Sequence, residues 1–166
     1  MFSGKTEELL RRLRRAEIAK QTVLICKPSI ENRYEKNKVV SHDRSSIDCV
    51  LVQTANHILD LPKDIDVLGI DEAQFFGNEL IDVCNTLANK GIRIIIAALD
   101  MDYEGQPFEP IPQLLAIADE VTKVRAICVR CGDLATFSYR TVEKDERILI
   151  GETKEYEARC RDCFYN

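Results

Sequence analysis

The chain has no run of 18 apolar residues, so no helix in it is expected to cross a bilayer. Its N-terminus has no charged stretch leading into an apolar one, so no secretory signal is expected there. It has no surplus of positive charge. The net charge is −5, whereas a dedicated nucleic-acid binder needs a basic surface to neutralise phosphates. No internal repeat and no low-complexity tract is visible. What remains is ordinary for a soluble globular protein: 45% hydrophobic and 31% charged residues. At 166 residues it can build one core plus a small appendage.

The seven cysteines are an odd number and divide into two kinds. Cys26, Cys49 and Cys84 sit inside apolar runs, as small buried hydrophobes do. The other four form two Cys-x-x-Cys pairs, Cys128 with Cys131 and Cys160 with Cys163, with 28 residues between the pairs. That spacing reads as one tetrahedral structural zinc site, the alternative being disulfides. Paired thiols of this kind favour metal in a reducing, cytoplasmic setting.

Leu9, Leu10, Leu13 and Ala16 recur at helical spacing, which predicts a helix over residues 4 to 19. No Gly or Pro marks its end. Apolar runs predict strands at 22–26, 49–53, 65–70, 92–99 and 121–127, with a short helix at 55–61 and others at 80–88 and 114–118. Residues 28 to 46 are polar without a clear period and read as a loop. Strands alternating with helices predict an α/β fold, a parallel sheet with helices on both faces. A boundary near residue 127 divides a nucleotide-binding unit, 1–127, from a zinc unit, 128–166. The second is too small to bury much surface, so a metal staple is physically expected.

Ser3-Gly4-Lys5-Thr6 matches the second half of a phosphate loop, G-x-x-x-x-G-K-[ST]. Gly4 lets the backbone approach phosphates, Lys5 brings a point charge to the β- and γ-oxygens, and Thr6 offers a hydroxyl to magnesium. The bland alternative is a chance string on a solvated helix start. The loop's first Gly would lie two residues before Met1, and the strand feeding it is missing too; the native chain is expected to start earlier. Asp71 and Glu72 end the apolar strand beginning at Val67. An acid there helps hold magnesium, and a second can take a proton from an attacking group. Alternatively they cap the following helix.

Met1 to Thr6, Asp71-Glu-Ala-Gln-Phe-Phe76, Ala98-Leu-Asp100 and the two cysteine pairs, in this order, resemble the type II thymidine kinases over essentially the whole chain. Lys27-Pro28, Asn32-Arg-Tyr34 and Ser41-His-Asp43 are similar to the segment around that family's flexible loop. The resemblance implies a P-loop-like fold with a zinc-ribbon-like unit carrying a lasso loop. It implies transfer of phosphate from ATP, with magnesium, to the 5′-hydroxyl of thymidine or deoxyuridine in nucleotide salvage. Glu72 would be the catalytic base. Ser3, Gly4, Lys5, Thr6, Asp43, Arg44, Asp71 and Gln74 would serve ATP and magnesium. Met1, Phe75, Leu99 and Tyr103 would wall the thymine pocket, with Tyr103 standing where many members carry Phe. Arg147, Ile148, Leu149, Ile150 and Gly151 would form the lasso holding the base by main-chain hydrogen bonds, and Tyr156 would close the pocket. The run 148–150 can equally be a strand of the zinc unit. Of Phe75 and Phe76, one is expected in the core. The resemblance also implies a homotetramer with neither nucleic-acid nor membrane partners.

Two other classes fit parts of the pattern. A nucleic-acid-dependent ATPase shares the acidic string, but the short zinc unit cannot supply its second motor. A zinc-ribbon interaction module on an inactive nucleotide-binding domain would tolerate half a phosphate loop. The kinase binds thymidine, the motor an oligonucleotide, the module neither.

Overall fold

Near-continuous apolar runs make strands that can be buried on both faces, and four of them line up in parallel here. The computed structural model describes residues 1–29, 38–40, 46–142 and 155–166. After α1 (Lys5–Ile18) the chain forms β1 (Val23–Pro28). A hairpin of β2 (Lys38–Val40) and β3 (Ser46–Asp48) follows, then β4 (Val50–Val52). A 3₁₀ turn, Ala55–Asp60, leads to β5 (Val67–Ile70). A second 3₁₀ turn, Ala73–Phe75, precedes α2 (Glu79–Ala88) and β6 (Arg93–Ile96). The sheet order is β4-β1-β5-β6. Val23 faces Val67 and Val67 faces Arg93 across the two central ladders.

α1 covers one face. Leu9, Leu10, Leu13 and Ala16 pack with Ile25, Cys49, Val67, Ile95 and Ala97. Gly69 permits this approach, because a Cβ there would stand 2.7 Å from Leu13 Cδ1. Leu13 is fully buried, and truncating such a leucine to alanine costs about 2–5 kcal/mol. The other face carries the first 3₁₀ turn, α2 and α3 (Ile111–Ile117), with Val52, Ala55, Ile58, Leu68, Ile70, Leu80, Val83 and Leu114 forming its core. Cys26 and Cys84 belong to this core too. The expectation of a parallel sheet between helical layers holds.

The remaining elements are small: β7 (Ala126–Ile127), β8 (Leu134–Ala135), β9 (Phe137–Arg140), β10 (Tyr156–Arg159) and α4 (Arg161–Tyr165). β7 pairs with β8, and β9 with β10, both antiparallel. Their shared cluster is Ala126, Cys128, Ala135, Ala158 and Cys160, every member an alanine or one of the paired cysteines, small side chains that make little core.

Three local expectations are corrected. The polar stretch 28–46 is not simply a loop, since β2 and β3 pair at its end. The strand foreseen over 121–127 shrinks to two residues and joins β8, not the parallel sheet. Its first half is tied by side chains instead: Arg12 Nη2 donates to Thr122 Oγ1 at 2.9 Å, and Lys123 pairs with Asp100 at 2.6 Å. The last helix of the sheet unit starts earlier than foreseen, at Ile111. Pro112 sits in its first turn, where a missing N–H removes no helical bond. The end of α1 also has a physical cause that needs no glycine. Lys20 takes the left-handed conformation (φ 64°), Lys20 N–H donates to Glu17 O, and Gln21 N–H donates to Ala16 O, which together make a Schellman stop.

Candidate active site

Gly4 adopts φ 76°, ψ 22°, a left-handed turn that glycine takes without a Cβ penalty, and α1 begins at the next residue. This aims the first side chains of α1 at the C-terminal end of β5. Thr6 Oγ1 lies 3.3 Å from Asp71 Oδ2 and 3.4 Å from Oδ1. Lys5 Nζ lies 2.5 Å from Glu72 Oε1 and 3.9 Å from Asp71 Oδ1. Residues distant in sequence therefore converge where the sheet's central strand ends, the place where open parallel sheets bind ligands.

Asp71 is buried, and that burial pushes its carboxyl up to about 6, against the lowering effect of the Lys5 ammonium. Its Oδ1 accepts the main-chain N–H of Glu72 at 3.0 Å. Glu72 itself sits at φ 52°, ψ 41°. A left-handed backbone at a non-glycine residue costs on the order of 1–3 kcal/mol and persists where its surroundings hold it. Here Ala73 N–H donates to Ala97 O at 3.2 Å, and Phe75 N–H to Glu72 O at 3.1 Å. The turn thereby takes Glu72 off the strand and into the cleft with Lys5.

Gln74 is 2% exposed. Its Nε2 donates to Glu72 Oε2 at 2.5 Å, and its Oε1 accepts Leu99 N–H at 3.0 Å. Phe75 is half-buried and meets Phe108 edge-on at 6.2 Å, while Phe76 lies in the core, as one of that pair was expected to. Leu99 and Tyr103 are half-buried. Met1 N donates to Ser138 Oγ at 2.7 Å, linking the segment before α1 to β9.

Two residues that sequence reasoning passed over belong to this region, Ser138 and Arg140. The Arg140 guanidinium stacks 3.5 Å above the Tyr103 ring, and its Nη2 donates to Tyr156 Oη at 3.1 Å. Arg140 and Tyr156 are register partners in the β9–β10 ladder. The alternation Phe137-Ser-Tyr-Arg140 was the available signal, since one face of it had to meet something polar. Asp43 and Arg44, and the segment Arg147, Ile148, Leu149, Ile150 and Gly151, lie outside the described residues.

The four sulfur atoms of Cys128, Cys131, Cys160 and Cys163 lie within 4.8 Å of one another, with Cys131 and Cys160 Sγ 3.6 Å apart. A disulfide needs about 2.05 Å. Four sulfurs at about 2.3 Å from one zinc ion stand about 3.8 Å apart at the corners of a tetrahedron. The cluster therefore fits zinc and not paired disulfides. At the start of α1, the Thr6 hydroxyl and the Asp71 carboxylate form an all-oxygen donor set suited to a hard cation such as magnesium.

The family model described as Thymidine kinase matches residues 1–164. A thymidine kinase of Bacteroides thetaiotaomicron is 61% identical over 164 residues, covering 99% of this chain and 82% of that protein. One from Bacteroides fragilis is 59% identical with the same coverage. One from Porphyromonas gingivalis is 56% identical, covering 99% of this chain and 80% of that protein.

Proposed function

We propose a concrete reaction from one premise: the chain belongs to the thymidine kinase family and is a transferase that phosphorylates thymidine. The phosphoryl donor is ATP, and deoxyuridine is a second acceptor. Glu72 takes the proton of the 5′-hydroxyl as that oxygen bonds to the γ-phosphorus. The bond from the γ-phosphorus to the bridging oxygen breaks, and ADP leaves. Lys5 serves the β- and γ-phosphate oxygens from the start of α1, with the main chain of Ser3 and Gly4 beside it. Thr6 and, through water, Asp71 would hold magnesium, which supplies neutralising charge at the phosphate oxygens. Asp43 and Arg44 stand near the metal and phosphates by family resemblance.

Met1, Phe75, Leu99 and Tyr103 wall the thymine, Tyr156 closes over it, and the main chain of 147–151 holds its edge. Aromatic and apolar walls beside a carboxylate suit a flat base. Zinc held by Cys128, Cys131, Cys160 and Cys163 staples the unit 128–166 together. The enzyme works in the cytoplasm as a homotetramer, a mass that light scattering reads directly.

The observation that carries this reading is the meeting of Lys5 and Thr6 with Asp71 and Glu72 at hydrogen-bonding distances. The test is a phosphoryl-transfer assay over a panel of deoxynucleosides with ATP and magnesium, run on wild type and Glu72→Gln. Thymidine should be preferred, and the variant should bind normally yet turn over on the order of 10²–10⁴-fold more slowly. Near-normal turnover in Glu72→Gln removes Glu72 from the base role.

A further inference from the structure

We infer that Gln74 is the positioning residue of Glu72: its buried carboxamide holds the proton-accepting carboxylate in place by tying it to the main chain of Leu99. The inference rests on the reading of Glu72 as the base, and it gives Gln74 a different task from the ATP and magnesium contacts implied by resemblance.

The orientation of the carboxamide is fixed by chemistry. Leu99 N–H is a donor, so only the carbonyl oxygen of Gln74 can face it. The NH₂ group must then point the other way, and there it meets Glu72 Oε2 at 2.5 Å. The side chain is 2% exposed, so water does not readily replace either bond. Glu72 has its two oxygens divided between partners, with Oε1 on Lys5 and Oε2 on Gln74. Of these two, only the Gln74 contact is neutral and can remain when Lys5 turns to a triphosphate. A carboxylate on a left-handed backbone, with three rotatable bonds between its Cα and the reacting oxygen, needs such a fixed partner to stay in line with a hydroxyl.

Leu99 is also a wall residue of the proposed nucleoside pocket. Gln74 thus refers the position of the base to the same stretch of main chain that positions the acceptor. No second side chain on the described turn does this; Phe75 and Phe76 carry no hydrogen-bonding group.

The experiment compares Gln74→Met and Gln74→Glu with wild type, Glu72→Gln and the double variant Glu72→Gln/Gln74→Met. Kinetics, melting temperature and zinc content are measured for each. Gln74→Met keeps the length and removes both bonds. Gln74→Glu keeps the acceptor for Leu99 N–H but meets Glu72 carboxylate to carboxylate. The pair then repels or shares one proton, and in either case Glu72 is no longer a free base. Both single variants should lose kcat on the order of 10²-fold, with KM for thymidine and ATP nearly unchanged. In the Glu72→Gln background, Gln74→Met should add almost nothing, because it acts through a base already removed.

A purely structural role predicts otherwise: Gln74→Glu active, Gln74→Met unstable, and additive losses in the double variant. Any of those overturns the inference. If Glu72→Gln is inactive while both Gln74 variants keep kcat within about twofold of wild type, the inference alone fails. If Glu72→Gln itself keeps its turnover, the base assignment fails first. Should Gln74→Glu not fold, Gln74→Met and the double variant still decide.

Discussion

Lys5 Nζ rests 2.5 Å from Glu72 Oε1, so the cation at the start of α1 and the carboxylate at the end of β5 neutralise each other directly. Each is about 15% exposed, so solvent screens the pair only in part. The arrangement puts a positive group beside two acids that would otherwise face one another. It also makes Lys5 available to any more strongly charged anion that enters, because a triphosphate offers more oxygens than one carboxylate.

Replacing Lys5 by Met should therefore act twice. Turnover should fall on the order of 10²–10³-fold, the typical loss for one charge-stabilising donor at a transferring group. The apo protein should also melt lower, since Asp71 and Glu72 lose their shared counter-charge. Steady-state kinetics and calorimetry on the same preparation check both effects, and unchanged turnover would contradict the assignment.

Asp71→Asn should do the opposite to stability. The carboxyl of Asp71 is raised to about 6 by burial, above the ordinary value of 3.8. A carboxyl that holds its proton more tightly folded than unfolded penalises folding once it must ionise. The penalty is absent below about pH 4, grows as pH rises toward 6, and is complete above it. In magnesium-free buffer at pH 7.5 the Asn variant should be more stable by at least about 1 kcal/mol, which is roughly 2–4 °C in Tm. At pH 4 the two should melt together. Activity should be lost, so a more stable, inactive protein is the expected result. A variant less stable than wild type at pH 7.5 would count against the burial argument.

The zinc cluster gives a third outcome. Its hydrophobic neighbours are mostly alanines, so beyond the ring contacts of Phe137, Tyr139, Phe164 and Tyr165 this region depends on metal–sulfur bonding to hold its cysteine loops in place. Cys160→Ser should release zinc, measured by metal analysis. Amide exchange in 126–142 and 155–166 should rise, while β1, β5 and β6 stay protected by their own core. Full protection without metal would show that the segment folds unaided.

The sheet was readable because its strands are buried on both sides and therefore apolar without interruption. Their ends were not, because backbone groups there are claimed from elsewhere. The run ending at Leu99 leaves the ladder after Ile96, where Ala97 O accepts Ala73 N–H and Leu99 N–H goes to the Gln74 side chain. Nothing in the local pattern 92–99 encodes those partners. The stop of α1 was equally hidden, since a lysine takes the place that glycine usually marks. At the site, Lys5, Thr6, Asp71 and Glu72 were legible because each sits in a short motif whose chemistry is local. Arg140 was not: its meaning depends on Tyr103, far away in sequence, and on the β9–β10 register.

That register yields the last prediction. Arg140 holds two rings at once, stacking on Tyr103 and donating to the Tyr156 hydroxyl, both of which flank the proposed thymine pocket. A guanidinium does this because it is planar and has several donors; an ammonium has the charge but not the plane. Cation–π contacts are worth about 0.5–2 kcal/mol, and a hydrogen bond from a charged group about 1.5–3 kcal/mol. Arg140→Lys should keep part of the first and lose most of the second. KM for thymidine should then rise roughly five- to tenfold while KM for ATP stays put, each 1.4 kcal/mol being one decade in affinity. Arg140→Met should raise it further. The proton-accepting groups are untouched, so kcat should change little. A fall in kcat at constant KM would mean that Arg140 serves the transferring phosphate instead of the rings.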